Sequence, residues 1–203
     1  MIYKKKPEIK GLKLYTGGPI SFSGPPAVGK STIGKLVADE LNFDFFDLDN
    51  EIAKEAKVKT TKDVIQEKGH KYFKKVQNEC LKRITETSPV DNYVLAAGGE
   101  IVRPGYNSDI IEQNRQLLKK YTYNICLLPS QDLDEAVNIL YPRLNDGKRD
   151  TRTKGSNEFK TYIEISKLQY LELADMVVFT HNSSVSDTFL SILESLSNEK
   201  SLN

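Results

Sequence analysis

The sequence predicts an α/β fold, a parallel sheet of five strands with helices on both faces. Three observations predict it. Short apolar runs alternate with helix-period segments, a helical stretch follows each run, and a Gly/Pro loop joins the first run to its helix. Strand–helix–strand alternation implies parallel crossovers, which lay the helices on the faces of the sheet. Ligands of such sheets bind beyond the carboxyl ends of the strands.

The elements follow in order. Ile20-Ser21-Phe22-Ser23 reads as the first strand. From Lys30 to Leu41, the apolar residues Ile33, Leu36, Val37 and Leu41 recur at helical spacing. Phe43 to Leu48 reads as the second strand, and Thr60 and Asp63 are spaced as a capping box opening a helical stretch. A further helix carries Tyr72, Phe73, Val76, Cys80, Leu81 and Ile84 on one face. Tyr93 to Ala97 is the third strand and runs into Gly98-Gly99. Ser108 to Lys120 has helical offsets at Ile110, Ile111, Asn114, Leu117 and Leu118. Tyr123 to Leu128 is the fourth strand, followed by a helix near Asp132 to Leu140. After a polar segment, Pro142 to Ser156, a helix runs to about Leu173. Met176 to Phe179 is the fifth strand and Val185 to Leu196 the last helix.

Composition narrows the function. Over 203 residues, 29 Lys and Arg face 28 Asp and Glu, a formal charge of +1. That balance argues against a surface built for nucleic acid. Cys80 and Cys126 stand far apart with no CxxC and no neighbouring His, so neither a disulfide framework nor a zinc site is expected. A reducing cytoplasm suits such a chain. The apolar runs fall far short of the roughly 20 residues of a membrane span. The basic start, MIYKKKPEIKGLK, has no apolar stretch behind it and reads as a solvated tail or an added edge strand rather than a signal peptide. The expected organisation is an extension over 1–19, one domain over 20–197 and a tail over 198–203. A monomer is expected, with a dimer as the alternative.

The loop after the first strand reads Gly24-Pro25-Pro26-Ala27-Val28-Gly29-Lys30-Ser31-Thr32, which is GxxxxGK[ST]. Its glycines let successive backbone N–H groups turn inward around phosphate oxygens. The helix that starts there adds the positive end of its dipole. Lys30 reaches the outer phosphates of ATP, and the Ser31 hydroxyl is a hard oxygen ligand suited to Mg²⁺. Asp47 and Asp49 close the second strand, where positions i and i+2 share a face. One carboxylate there can hold Mg²⁺, and the other can orient or deprotonate a substrate hydroxyl. Within the polar segment, Arg143, Lys148, Arg149, Arg152 and Lys154 outnumber Asp146 and Asp150. A cationic segment of this kind is suited to close over triphosphate and stabilise the transferring phosphoryl group, with Arg149 the favoured residue.

These residues together resemble the shikimate kinase family. The run GPPAVGKSTIGKLVADELNFDFFDLDNEI resembles its phosphate loop, first helix and DxD strand end. Gly69-His70-Lys71-Tyr72-Phe73-Lys74 is similar to the family's GExxFR segment, Leu95-Ala96-Ala97-Gly98-Gly99 to its triple-glycine strand end, and Tyr170 to Asp175 to its Y...AD ending. The resemblance covers roughly residues 20–196. It implies the strand order 2-3-1-4-5 and ATP-dependent phosphorylation of a small hydroxylated metabolite, shikimate first, in aromatic amino acid biosynthesis. It also implies Ser31 and Asp47 for Mg²⁺, Asp49 for the accepting hydroxyl, and backbone N–H groups of Gly98 and Gly99 for the substrate. A lid would span about 142–156, with Arg143 packing on adenine.

The chain departs from the family where a substrate carboxylate would be gripped. The family's Arg is Lys74, the GE acid is His70, the later acid of that helix is Gln77, and the third glycine is Glu100. The second carboxylate-binding Arg falls on Ser166, beside Lys167. Lys lacks the bidentate fork of Arg. The expected acceptor set is therefore Asp49, Phe73, Lys74, Gly98, Gly99, Glu100 and Lys167. A kinase for another polyol or sugar acid, or a non-catalytic nucleotide-binding descendant, is the alternative.

Overall fold

The structure, a computed structural model, describes residues 8–11, 13–103, 108–144 and 155–200, the last three without their side chains. In chain order the elements are β1 (Glu8–Gly11), β2 (Ile20–Ser23), α1 (Lys30–Leu41), β3 (Asp44–Asp47), α2 (Leu48–Glu55), α3 (Thr61–Glu86) and β4 (Tyr93–Ala96). They continue as α4 (Ser108–Tyr121), β5 (Tyr123–Leu128), α5 (Leu133–Leu144), α6 (Ser156–Leu173), β6 (Met176–Phe179) and α7 (Val185–Lys200).

Period-two alternation along the strands builds two cores, one on each face of the sheet. Phe22 of β2, Ile125 and Leu127 of β5, and Met176 and Val178 of β6 pack with Ile33 and Val37 of α1 and Ile192 of α7. The intervening residues Leu95, Cys126, Leu128 and Val177 pack on the other face with Leu48, Phe73, Leu81 and Leu118. On that face β2 presents two serines, whose buried hydroxyls are paired. Ser23 Oγ donates to Asn124 Oδ1 at 2.7 Å and Asn124 Nδ2 donates to Ser21 Oγ at 2.8 Å. Asp175 accepts from the Asn124 backbone N–H at 2.9 Å and pairs with Lys13 Nζ at 2.5 Å.

The sheet order is β1-β6-β5-β2-β4-β3. Its five parallel strands follow the expected 2-3-1-4-5 order, but the sheet has a sixth member. β1 pairs antiparallel with β6, with Ile9 opposite Val178, and covers what would be an open edge. β2 lies between β4 and β5 and is parallel to both. The chain changes direction across the sheet there, so a crevice opens beyond the C-terminal end of β2.

Three boundaries differ from expectation for local reasons. β3 ends at Asp47, which caps α2 by accepting from Asp49 and Asn50 backbone N–H groups, so Asp49 lies on a helix and not on the strand. Pro142 and Arg143 lie in the last turn of α5 rather than in a loop, and Pro142 there cannot donate to the Asn138 carbonyl one turn back. The two helices expected between residues 60 and 86 join as α3 across a kink at Gly69, where φ is 81° and ψ 165°. The capping box of Thr60 and Asp63 opens α3 as expected. No helix among the described residues is long and apolar enough to cross a membrane.

Candidate active site

A cleft of about 370 Å³ opens where the strand order reverses. One wall is the loop between β2 and α1. Gly24, at φ 131°, passes so close to β5 that an added Cβ would stand 2.2 Å from the Leu127 carbonyl oxygen. Ala27 takes φ 63°, and Gly29 caps α1 at φ 111°. These left-handed turns curl the backbone around the start of α1, and Val28 anchors the loop in the core. Ala27, Gly29, Lys30, Ser31 and Thr32 line the cleft. Lys30 Nζ donates to the Gly24 and Pro25 carbonyl oxygens at 2.9 and 2.8 Å, folded back along the loop it serves.

The second wall is the β3–α2 junction. The capping role of Asp47 fixes its carboxylate: Oδ1 accepts from the helix, and Oδ2 accepts from Ser31 Oγ at 2.5 Å. Two hard oxygen donors thus meet at the foot of the phosphate loop, a donor set that suits Mg²⁺. Asp49 lines the cleft from the first turn of α2. Strand alternation does not bring the two acids together. A strand end followed at once by a helical turn does.

The third wall is the loop after β4. Gly98 has φ 69°, and a Cβ there would lie 2.9 Å from Asp49 Oδ1, so the loop can approach this acid only as glycine. Two tyrosines of α6 hold the next carbonyl. Tyr162 and Tyr170 hydroxyls donate to Gly99 O at 2.5 and 2.6 Å. Burial pushes the pKa of both phenols upward, and the nearby Glu100 carboxylate adds to the effect, so both remain donors.

Glu100 itself is buried and stands between two cations. Arg103 Nη1 lies 2.7 Å from its Oε1, and Lys74 Nζ lies 3.8 Å from its Oε2. Lys74 is fully buried and also donates to the Glu100 carbonyl oxygen and, at 3.3 Å, to Gln77 Oε1. The chain of buried amides continues through Asn114 to Asn78 on α3, which donates to Asn114 Oδ1 at 2.9 Å. Lys74 and Glu100, the two positions expected from the resemblance to depart from the family pattern, thus lie against each other. Lys74 neutralises the acid that the loop carries and ties that loop to α3.

The structure brings Lys30, Ser31, Thr32, Asp47, Asp49, Gly98, Gly99 and Glu100 to one cleft. Three expected substrate contacts fall elsewhere. Phe73 is fully buried in the core beneath β4, Lys74 is spent on Glu100, and Lys167 donates to the Gln131 carbonyl away from the cleft. Arg143 is exposed on the last turn of α5 and does not line the cleft, and Arg149 lies outside the described residues. The sequence reading missed Arg103, whose guanidinium lies 5.0 Å over the Tyr162 ring and borders the cleft, and also Thr60, Thr61 and Lys62 at the start of α3. The capping box at Thr60 was a usable signal for the second group. Arg103 had none beyond its place three residues after Glu100, because only the fold brings it to Tyr162 and the cleft. His181, just past the end of β6, pairs with Glu135 at 2.9 Å and does not line the cleft.

Cys80 and Cys126 are free and buried, and burial pushes their thiols up to about 11 and about 12. Among the described residues no group of three or more His, Cys, Asp or Glu forms a metal cluster.

The fold is similar to shikimate kinase from Acinetobacter baumannii in complex with shikimate, at a TM-score of 0.74 and 20% identity over 92% of this chain and 96% of that one. It is also similar to shikimate kinase from Bacteroides thetaiotaomicron, at a TM-score of 0.69 and 21% identity over 88% and 98%. In sequence, shikimate kinase from Staphylococcus aureus strain MSSA476 is 27% identical over 177 residues, or 86% of this chain and 91% of that protein. The strain JH9 protein is 28% identical over 181 residues, with the same coverage. The shikimate kinase family model matches residues 26–197. The chain belongs to the shikimate kinase family of ATP-dependent small-molecule kinases.

Proposed function

We propose that the protein transfers the γ-phosphoryl group of ATP to a hydroxyl of shikimate. One observation carries the reading: a phosphate loop with Lys30 and Ser31 faces Asp49 and the Gly98-Gly99 turn across a single cleft. Phosphoryl transfer demands positioning and charge stabilisation more than covalent chemistry. The loop N–H groups and Lys30 hold the triphosphate. Asp49, pressed against Gly98, orients the accepting hydroxyl and takes its proton.

Ser31 and Asp47 fit Mg²⁺ by the oxygen pair described above, and the ion would supply charge neutralisation for the outer phosphates. In this reading Arg149, outside the described residues, is the charge-stabilising residue. The protein works as a monomer in the cytoplasm, where its two thiols stay reduced.

The test is ADP release by the intact chain with and without shikimate, repeated over polyols and sugar acids. Stimulation by shikimate above every other acceptor is expected, and Lys30→Ala should abolish it. Stimulation by a different acceptor alone would overturn the choice of shikimate. Nucleotide binding without turnover on any acceptor would overturn the kinase reading.

A further inference from the structure

A carboxylate-bearing acceptor needs a cation on the acceptor side of the cleft, and the family's usual positions do not supply one here. Position 166 is a buried serine, and Lys74 is sealed beneath the Glu100 loop. Among the described residues the cations that line the cleft are Lys30, Lys62 and Arg103. Lys30 belongs to the phosphate loop. Lys62 is a single-point ammonium on the first turn of α3.

Arg103 differs in three ways. It extends the loop whose Gly98 meets Asp49. Its guanidinium is oriented twice, by Glu100 Oε1 at 2.7 Å and by the Tyr162 ring at 5.0 Å. It also offers a planar fork that matches a carboxylate. Its side chain is 26% exposed, against 1% for Lys74, so it remains open to the cleft.

We propose that Arg103 binds the carboxylate of the acceptor, with Glu100 as its positioning residue. This rests on the shikimate reading above. It also explains how an acid is tolerated beside an anionic substrate. Glu100 stands between Lys74 and Arg103, so its charge is neutralised while it aims the guanidinium.

The experiment compares shikimate with its carboxamide, which keeps the hydroxyls and lacks the charge, at saturating ATP. In the wild type, kcat/KM should favour shikimate by about 100-fold, the range expected for charge-assisted hydrogen bonds in a partly desolvated site. Arg103→Ala should raise the KM for shikimate and shrink the preference to less than about fivefold, with the KM for ATP as the internal reference. Arg103→Lys should fall between, because it keeps the charge and loses the fork. Glu100→Gln should raise the KM for shikimate more than it lowers kcat.

If shikimate turns over and its preference survives Arg103→Ala, the assignment is overturned while the kinase reading stands. If Lys62→Ala collapses the preference instead, the carboxylate belongs to Lys62 and the assignment is again overturned. If the wild type gives no shikimate-dependent ADP release and binds no shikimate by calorimetry, both readings fall.

Discussion

Lys74 and Glu100 give the sharpest test of how the departures from the family pattern hold together. Their side chains are 1% and 9% exposed and 3.8 Å apart. At an effective dielectric of about 20, unit charges at that distance attract by about 4 kcal/mol before desolvation. Breaking a buried pair by removing one partner costs roughly 3–5 kcal/mol, because the other charge stays in the interior. Lys74→Met keeps the stem and removes the charge, so it should destabilise the fold by about 3 kcal/mol, the lower end, since Glu100 keeps Arg103 at 2.7 Å. Glu100→Gln should cost a similar amount by leaving two cations without their acid. The double variant should lose less than the two single losses combined, with a coupling of about 2 kcal/mol. Urea unfolding of the four proteins reads this directly. Additive losses, or a single loss below about 1 kcal/mol for Lys74→Met, would refute the idea that Lys74 exists to neutralise Glu100.

Other outcomes follow from the same structure. Asn124→Ala removes two buried hydrogen bonds to Ser21 and Ser23, so it should destabilise by about 2–3 kcal/mol in denaturant melts, and a neutral result would deny that this amide holds β2 to β5. Buried Tyr15, Tyr93, Tyr162 and Tyr170 all have raised pKa values, Tyr93 to about 12. Their unfolded forms ionise near pH 10 while the folded ones stay protonated, so stability is full below pH 10 and falls as pH rises toward the folded values. Each contributes a slope of about 1.4 kcal/mol per pH unit. Tyr170→Phe should flatten the alkaline limb of denaturant midpoint against pH by about one proton, and an unchanged limb would contradict the burial of that phenol. Neither Cys80 nor Cys126 should react with a thiol reagent at neutral pH until the chain unfolds, so rapid labelling of the native protein would contradict their placement.

Where the sequence was informative, the signal was local. The phosphate loop is contiguous, its strand and helix flank it directly, and the glycines at 24 and 29 are needed by backbone geometry at those positions. The parallel order came with the family resemblance, and β1 realises the edge-strand alternative for the basic start, although Glu8-Ile9-Lys10-Gly11 alternates too weakly to choose it over a solvated tail. Asp47 and Asp49 were rightly placed together at the phosphate loop for a partly wrong reason, since one short cap turns strand into helix between them. Phe73, Lys74 and Lys167 lie beside family motifs in sequence, yet Phe73 packs into the core, Lys74 is buried behind Glu100 and Lys167 reaches the Gln131 carbonyl, contacts that proximity along the chain does not reveal. Arg103 and Glu100 are three residues apart on one loop, but Tyr162 meets them from α6, and a long-range contact of that kind leaves no periodic trace.

The central claim is that the cleft moves a phosphoryl group from ATP to a hydroxyl of shikimate. The most direct measurement follows the γ-phosphorus itself, as transfer of label from [γ-³²P]ATP onto shikimate by the intact protein, with Asp49→Asn and Lys30→Ala alongside. The account predicts labelled shikimate phosphate from the wild type, a loss of about 100-fold or more for Asp49→Asn, where a positioned base is removed, and none detectable for Lys30→Ala. Label released only as inorganic phosphate, or transfer that survives Lys30→Ala, would contradict it.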